Sequence, residues 1–267
     1  MASLYAPSYD SFALDGTNGI ALENVEDHGP VKLKFEENLS GGQTIRESYL
    51  SGRQIEAEIF IKGTTAADFN TKIAALMAKL QRTSAANLKI TSGRQISAWC
   101  SPGPLKVVQG ASGLAARLKV EWIAEDPYWT KTSSSTGSVV NTTSPVSFVA
   151  TNNGNAIALP DFEIENTGAT DYTGISVTIE NTTTGKSLRA LQMDLDAGDK
   201  LIIKANGEVY FESPAGATSQ TPKRLDGTHP YLAAGANTLQ FTHAFGSSSD
   251  ITFRATWYDT HHTFEEL

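Results

Sequence analysis

Apolar and polar residues alternate along the stretch LKVEWIAEDPYW, residues 118–129: Leu118, Val120, Trp122 and Ala124 are set against Lys119, Glu121 and Glu125. That period of two predicts a half-buried strand. Pro127 cannot donate to a sheet ladder, so the strand is expected to stop near Asp126. The residues that follow, TKTSSSTGSVVNTTSP, are almost all Thr, Ser, Gly, Val and Asn and carry no helical stripe. A strand that ends on Asp-Pro-aromatic and runs into such a stretch near mid-chain predicts two domains, residues 1–130 and 146–267, joined by a linker over 131–145. Asp126, Pro127, Tyr128 and Trp129 are then the candidate domain junction, because aromatics with a polar handle suit half-wet interfaces.

The same alternation runs through both halves. In the first, residues 1–30 are rich in turns, with Asp15-Gly16 and Asn18-Gly19. Val31–Phe35 reads as a strand, Glu36–Gly42 (EENLSGG) as a loop tip, and Thr44–Ile61 as a return strand. Together they predict a long β-arm that either reaches a neighbour or folds back within its own domain. One helix is predicted: Thr65-Ala-Ala-Asp68 fits a capping box, and Phe69, Ile73, Leu76, Met77 and Leu80 form one apolar stripe. That stripe reads as packing against a sheet. Leu88–Cys100 and Pro104–Ala124 are further strands. The second half carries strand signals only: Phe162 and Ile164, Ile175 to Ile179, a hairpin from Leu201 to Phe211 turning at Asn206-Gly207, Leu239–Phe241 and Ile251–Trp257. Short strands at regular spacing predict a β-sandwich.

Charge changes the picture little. Of the net −8 over 267 residues, residues 1–130 hold 13 Lys+Arg against 14 Asp+Glu, and residues 131–267 hold 8 against 15. No basic patch offers to neutralise phosphates, which argues against sequence-independent nucleic-acid binding. No apolar run is long enough to cross a bilayer, and the start, MASLYAPSYDSF, lacks the features of a secretory signal, so synthesis in the cytoplasm is expected. The single Cys100 excludes an internal disulfide framework and a cysteine zinc cluster.

Candidate chemistry is sparse. Thr182–Ser187 imitates a phosphate-binding loop but has Glu180 where the first glycine belongs, and reads as a hairpin turn. Asp194–Asp199 imitates a calcium loop, yet the twelfth position is Ala205 where a bidentate Glu is needed. The five histidines, His28, His229, His243, His261 and His262, form no ligand spacing. There is no GxSxG elbow, and Glu36-Glu37 have nothing apolar nearby to raise a pKa. No catalytic residue, cofactor or metal ligand is assigned, and the chain is read as a non-enzyme.

The ordered series GRQIEAEIFIKG, a helix ending in ALMAKLQ, LKITSGRQISAWC and LKVEWIAEDPYW resembles the N-terminal half of siphovirus distal tail (Dit) proteins. NNGNAIALPDFEIENTG, AGDKLIIKANGEVYF and LDGTHPYLAAGANTLQF resemble the family's C-terminal half. The resemblance implies a mainly β protein: an N-terminal tail-tube-like β-sandwich with one flanking α-helix, and a C-terminal galectin-like β-sandwich. It further implies a homo-hexameric ring in the virion, at the phage tail tip. The ring would join the tail tube protein to the tail hub or tip protein and receptor-binding proteins of the baseplate, with DNA only in transit through its lumen and no membrane insertion. On that reading Val31, Leu33, Phe35, Leu39, Ile45 and Tyr49 are candidates for an inter-subunit arm, and Glu23, Glu26, Asp27, Glu36 and Glu37 for an acidic lumen. Two alternatives remain at this point: a carbohydrate-binding accessory module, although the second half has the single Trp257 in a strand where burial is expected, and a hydrolase built from scattered residues.

Overall fold

A computed structural model describes residues 5–29, 31–37, 43–50, 52–107, 114–219, 224–246 and 250–263. The chain divides into two compact units, Met1–Thr132 with His262–Leu267, and Ser133–His261. The C-terminal residues thus belong to the first unit.

The first unit is built on β1 (Tyr5–Tyr9), β2 (Phe12–Ala13), β3 (Ile20–Asp27), β4 (Val31–Glu37), β5 (Gln43–Leu50), β6 (Arg53–Lys62), α1 (Ala66–Leu80), β7 (Ala86–Thr91), β8 (Arg94–Val107), β9 (Ala115–Ala124) and the start of β10 (Trp129–Val140). All pairings are antiparallel. β3, β6, β9 and the C-terminal part of β8 are neighbours in that order, while β7, β1 and β2 continue from the N-terminal part of β8. The 14-residue β8 therefore serves both layers, with a bulge between Pro102 and Leu105 where its two prolines interrupt the ladder. Ile55, Ile59 and Ile61 of β6, Leu118 and Trp122 of β9, and Leu88 and Ile96 of β7 and β8 fill the core.

The helix forms as the sequence predicts. Thr65 is the N-cap, its hydroxyl accepting the Asp68 amide at 3.1 Å. The Asp68 carboxylate reaches one residue further back than a capping box requires, accepting the Thr64 amide at 2.8 Å. Phe69, Leu76 and Leu80 are buried against the sheet, with Ile73 and Met77 packed beside them.

The stretch read as a linker is corrected by the structure: residues 129–140 form the strand β10. β9 stops at Ala124, and β10 resumes along the same edge of β8, pairing Thr130 with Gln95 and Lys131 with Arg94. Pro127 breaks the ladder as expected, but only for the jog between two strands. After buried Trp129, β10 is exposed for most of its length, so no inside–outside contrast is written into its side chains. Its serines, threonines and valines are compatible with extended structure, and its partner is supplied from far along the chain. Glu36 and Glu37 are likewise strand residues rather than part of a loop tip, in register with Thr44 and Gln43.

In the second unit, β11 (Val146–Asn152), β13 (Tyr172–Asn181), β14 (Lys186–Leu195), β18 (Arg224–Gly227) and β19 (Gly235–His243) form a five-stranded sheet in the order β11-β19-β13-β14-β18. Facing it are β12 (Asp161–Asn166), β15 (Lys200–Ile203), β16 (Val209–Glu212), β17 (Thr218–Ser219) and β20 (Ile251–His261), with the later part of β10 beside β20. Phe162, Phe241, Phe253, Leu201 and Leu239 lie in the core of the sandwich. The Asn206-Gly207 turn joins β15 to β16, with Gly207 at φ +88°. Thr182–Gly185 is the turn between β13 and β14, as read from the sequence.

Three strands of this unit end on a buried asparagine. The Oδ1 atoms of Asn152, Asn166 and Asn181 accept the amides two residues on, at 3.0, 3.1 and 3.0 Å. Their Nδ2 groups donate to the carbonyls of Ala156 (2.7 Å), Asp196 (3.0 Å) and Tyr231 (2.6 Å). Each side chain thus turns its own chain out of the sheet and ties a connecting segment to it. This gives a physical role to the NNG, ENTG and ENTTTG segments.

Candidate functional site

Two features of the first unit stand out as candidate assembly surfaces. The first is the β4–β5 ribbon. Its strands pair with each other, Val31 with Leu50 through Glu37 with Gln43, and with no other described strand. The ribbon continues the β3–β6 pair, whose register ends at Asp27 and Ile55. At about 3.4 Å per residue, seven residues extend it by roughly 20 Å. Among the described residues neither ribbon edge pairs with a further strand, so the ladder groups there can receive one. Val31, Leu33, Phe35, Ile45 and Tyr49 fall in these two strands, while Leu39 lies outside the described residues.

The second is the solvent face of β3, β6 and β9. Inward positions on β6 and β9 are apolar apart from Arg53 at the start of β6, so the alternate positions face out. Cross-strand register aligns Glu23 with Glu58 and Lys119 in one row, and Glu26 with Glu56 and Glu121 in the next. Arg117 neutralises part of the first row, lying 3.3 Å from Glu23 and 4.0 Å from Glu58. In the second row His28 Nε2 lies 3.5 Å from Glu56.

A bulge decides which of the expected acidic residues reach this face. The β3–β6 register shifts between Glu23 and Glu26, with Asn24 at φ +48°. Glu23 and Glu26, three apart in sequence, therefore project on the same side, and Asp27 is turned inward opposite Ile55. Asp27 Oδ2 accepts hydrogen bonds from the Arg53 guanidinium and, at 3.2 Å, from Trp129 Nε1. Glu36 and Glu37 belong to the ribbon. Of the five residues predicted to line a lumen, only Glu23 and Glu26 are brought together here. Glu56, Glu58 and Glu121 join them; the signal was the phase of the alternation, since all three occupy polar positions between buried residues.

Asp126, Pro127, Tyr128 and Trp129 surround the same buried arginine. Arg53, 1% exposed, donates through Nε to the Pro127 carbonyl at 2.7 Å and through Nη2 to the His262 carbonyl at 2.6 Å. Asp126 Oδ1 accepts the Tyr128 amide at 3.0 Å, and burial raises the Asp126 carboxyl above its usual pKa. The Tyr128 ring meets His262 edge-on at 5.5 Å, and Trp129 is fully buried. The second buried arginine, Arg94, holds the Thr263 carbonyl at 2.7 Å. Arg53 was not singled out from sequence, although it shares the inward phase of Ile55, Ala57 and Ile59.

Among the described residues no group of three or more His, Cys, Asp or Glu side chains could hold a metal ion. Burial pushes the Cys100 thiol up to about 12, far from a reactive thiolate. In the loop that imitates a calcium site, burial and the nearby Asp196 and Asp171 carboxylates raise the Asp199 pKa. Trp257 is buried, its Nε1 donating to the Thr151 carbonyl at 3.2 Å. Ser147, Gln240, Glu180 and Ser187 form one outward row of the five-stranded sheet, with no ring to stack on a sugar.

A scan of protein-family models gives no match for the sequence, and no curated protein matches it significantly. Solved structures do match. The crystal structure of the SPP1 Dit protein, described as a paradigm of the hub adsorption apparatus in phages infecting Gram-positive hosts, superposes with a TM-score of 0.67. That match has 15% identity and covers 97% of this chain and 99% of the other. A chain of the phage P2 baseplate in its activated conformation with Ca matches with a TM-score of 0.52 at 8% identity, covering 92% of each chain. The corresponding Sr structure gives 0.51 at 9% identity, over 94% of this chain and 97% of that one. Over nearly its whole length, the chain has the fold of the phage distal tail (Dit) and baseplate hub proteins.

Proposed function

We propose that this chain is a structural hub of a phage tail: a hexameric ring that joins the tail tube to the adsorption apparatus, with DNA passing through its lumen. The observation that carries the reading is the likeness to the SPP1 hub protein across both units, with almost no residue of either chain left over. The β4–β5 ribbon fits it, because a two-stranded ribbon is marginal alone and gains stability by laying its open edges or a face on a neighbouring copy. A carboxylate face fits a lumen that must not grip passing phosphates; Glu23, Glu26, Glu56, Glu58 and Glu121 are its proposed lining. The proposed partners are six copies of the chain, the tail tube protein, a hub or tip protein and receptor-binding proteins. Its place is the virion tail tip after synthesis in the host cytoplasm, and its role is not enzymatic.

Light scattering on the purified chain, with negative-stain images, tests the ring. The expected result is six times the 28.6 kDa of one chain and a particle with a central hole. A single-copy mass that persists when tail-tube and hub proteins are added refutes it.

A further inference from the structure

The chain contains three Asn-Gly pairs, Asn18-Gly19, Asn153-Gly154 and Asn206-Gly207. In such a pair no side chain shields the glycine nitrogen from the asparagine carboxamide, so the sequence is thermolabile wherever the backbone can bring the two together. Each of the three glycine amides has an acceptor: the Gly16 carbonyl at 2.9 Å, Asn152 Oδ1 at 3.0 Å and the Lys204 carbonyl at 3.0 Å, respectively. That bond does not separate the three pairs; their surroundings do.

Gly19 and Gly154 are pinned against a neighbouring strand. A Cβ on Gly19 would fall 2.5 Å from the Lys62 carbonyl oxygen, and the Gly19 carbonyl accepts the Lys62 amide at 2.7 Å. Gly154 lies against the Thr260 backbone, where a Cβ would meet the carbonyl oxygen at 1.9 Å. Asn153 is tied to Asp259 through its backbone amide at 3.0 Å and its Nδ2 at 3.3 Å, so the group that would have to leave is itself held.

Asn206-Gly207 stands at the tip of the β15–β16 hairpin, beyond the last strand pair, Ile203 with Val209. Both residues are exposed, and among the described residues no atom beyond its chain neighbours lies within 4 Å of the place a Gly207 Cβ would take. Asn206 Oδ1 accepts the Glu208 amide at 3.0 Å. That bond folds the carboxamide back over the intervening Gly207 nitrogen. It also stabilises the negative charge that grows on Oδ1 when Cγ is attacked.

We propose that Asn206 is a site of self-modification, its carboxamide passing through a cyclic imide to aspartate and isoaspartate, while the fold protects Asn18 and Asn153. The Gly207 nitrogen gives its proton to solvent base and bonds to Asn206 Cγ. The Cγ–Nδ2 bond breaks, and ammonia leaves with a proton taken from water. A second water opens the imide, giving aspartate by cleavage at Cγ and isoaspartate by cleavage at the main-chain carbonyl carbon. Either product places a new carboxylate at the hairpin tip, beside Glu208 and close to Asp161, which holds the Ala205 amide at 2.8 Å. The modification needs only the folded chain and water, and it proceeds whether or not copies assemble into a ring.

Peptide mapping by mass spectrometry on the full-length wild-type chain, aged at mildly alkaline pH, tests it. A native sample is compared with one unfolded in urea, and isoaspartate is told from aspartate by electron-transfer fragmentation. The expected result is conversion at Asn206 at least about tenfold faster than at Asn18 or Asn153 in the native chain, with the three rates within about threefold of one another in urea. A native rate at Asn206 no greater than at the other two overturns the proposal. The same tenfold order persisting in urea also overturns it, because local sequence and not the fold would then select the site.

Discussion

Removing the Asp27 carboxylate should expose how much of the first unit depends on one buried ion pair. The Arg53 side chain is wholly inaccessible and that of Asp27 is 12% exposed, so the pair is shielded from solvent and salt. In Asp27→Ala the guanidinium keeps the Pro127 and His262 carbonyls but loses the carboxylate it pairs with, and the Trp129 N–H loses its bond to that carboxylate. An uncompensated charge of this kind costs about 3–5 kcal/mol. For a unit of this size that is a fall of about 10 °C or more in melting temperature. The second substitution sharpens the argument. Arg53→Met removes the charge that Asp27→Ala strands, so the double variant should be more stable than the sum of the two losses by about 2 kcal/mol. Urea titrations followed by tryptophan fluorescence read this out well, because Trp99, Trp122 and Trp129 all lie in the first unit. A loss under about 1 kcal/mol for Asp27→Ala would place the pair among ordinary surface bridges, and strictly additive losses would show that the two residues act independently. Either result refutes the reasoning.

Two further outcomes test the second unit. A Cβ on Gly154 would fall 1.9 Å from the Thr260 carbonyl oxygen, whereas Gly207 has open space around it at φ +88°; Gly154→Ala should therefore cost more than about 2 kcal/mol and Gly207→Ala about 1 kcal/mol by thermal melting, and the opposite order would show that the β20 backbone yields easily. Burial holds both His229 and His243 below their ordinary pKa of 6.5, the Pro160 carbonyl only partly opposing this at His229. Because the folded state binds these protons less readily than the unfolded chain, their contribution to stability is complete above pH 6.5 and is lost as pH falls through the folded values, by up to about 1.4 kcal/mol per pH unit for each. Melting between pH 7.5 and 5.5 should show the second unit weakening, and His229→Gln with His243→Gln should flatten the slope; an equal slope in that variant would assign the pH response to other groups.

The elements legible in the sequence were those whose two sides differ in solvent exposure. β6 and β9 alternate buried and exposed residues through most of their lengths, and α1 has both its cap and its stripe in plain view. The Asn206-Gly207 turn was readable because its backbone needs a glycine there. β10 was not, since exposed Ser and Thr leave no contrast to read and its partners β8 and β20 lie far away in sequence.

The candidate surfaces divide in the same way. The sequence alone determined that the Val31–Phe35 strand alternates apolar and basic residues, and that Glu56, Glu58 and Glu121 occupy the polar phase of their strands. It could not determine that Glu26, Glu56 and Glu121 form one row, because register is a relation between strands. Nor could it show that one shifted pair at Asn24 sends Glu26 outward and Asp27 to a buried arginine. Local pattern records which side of an element meets water. Which side chains then meet one another is set by pairing, bulges and packing, and only the tertiary structure decided that.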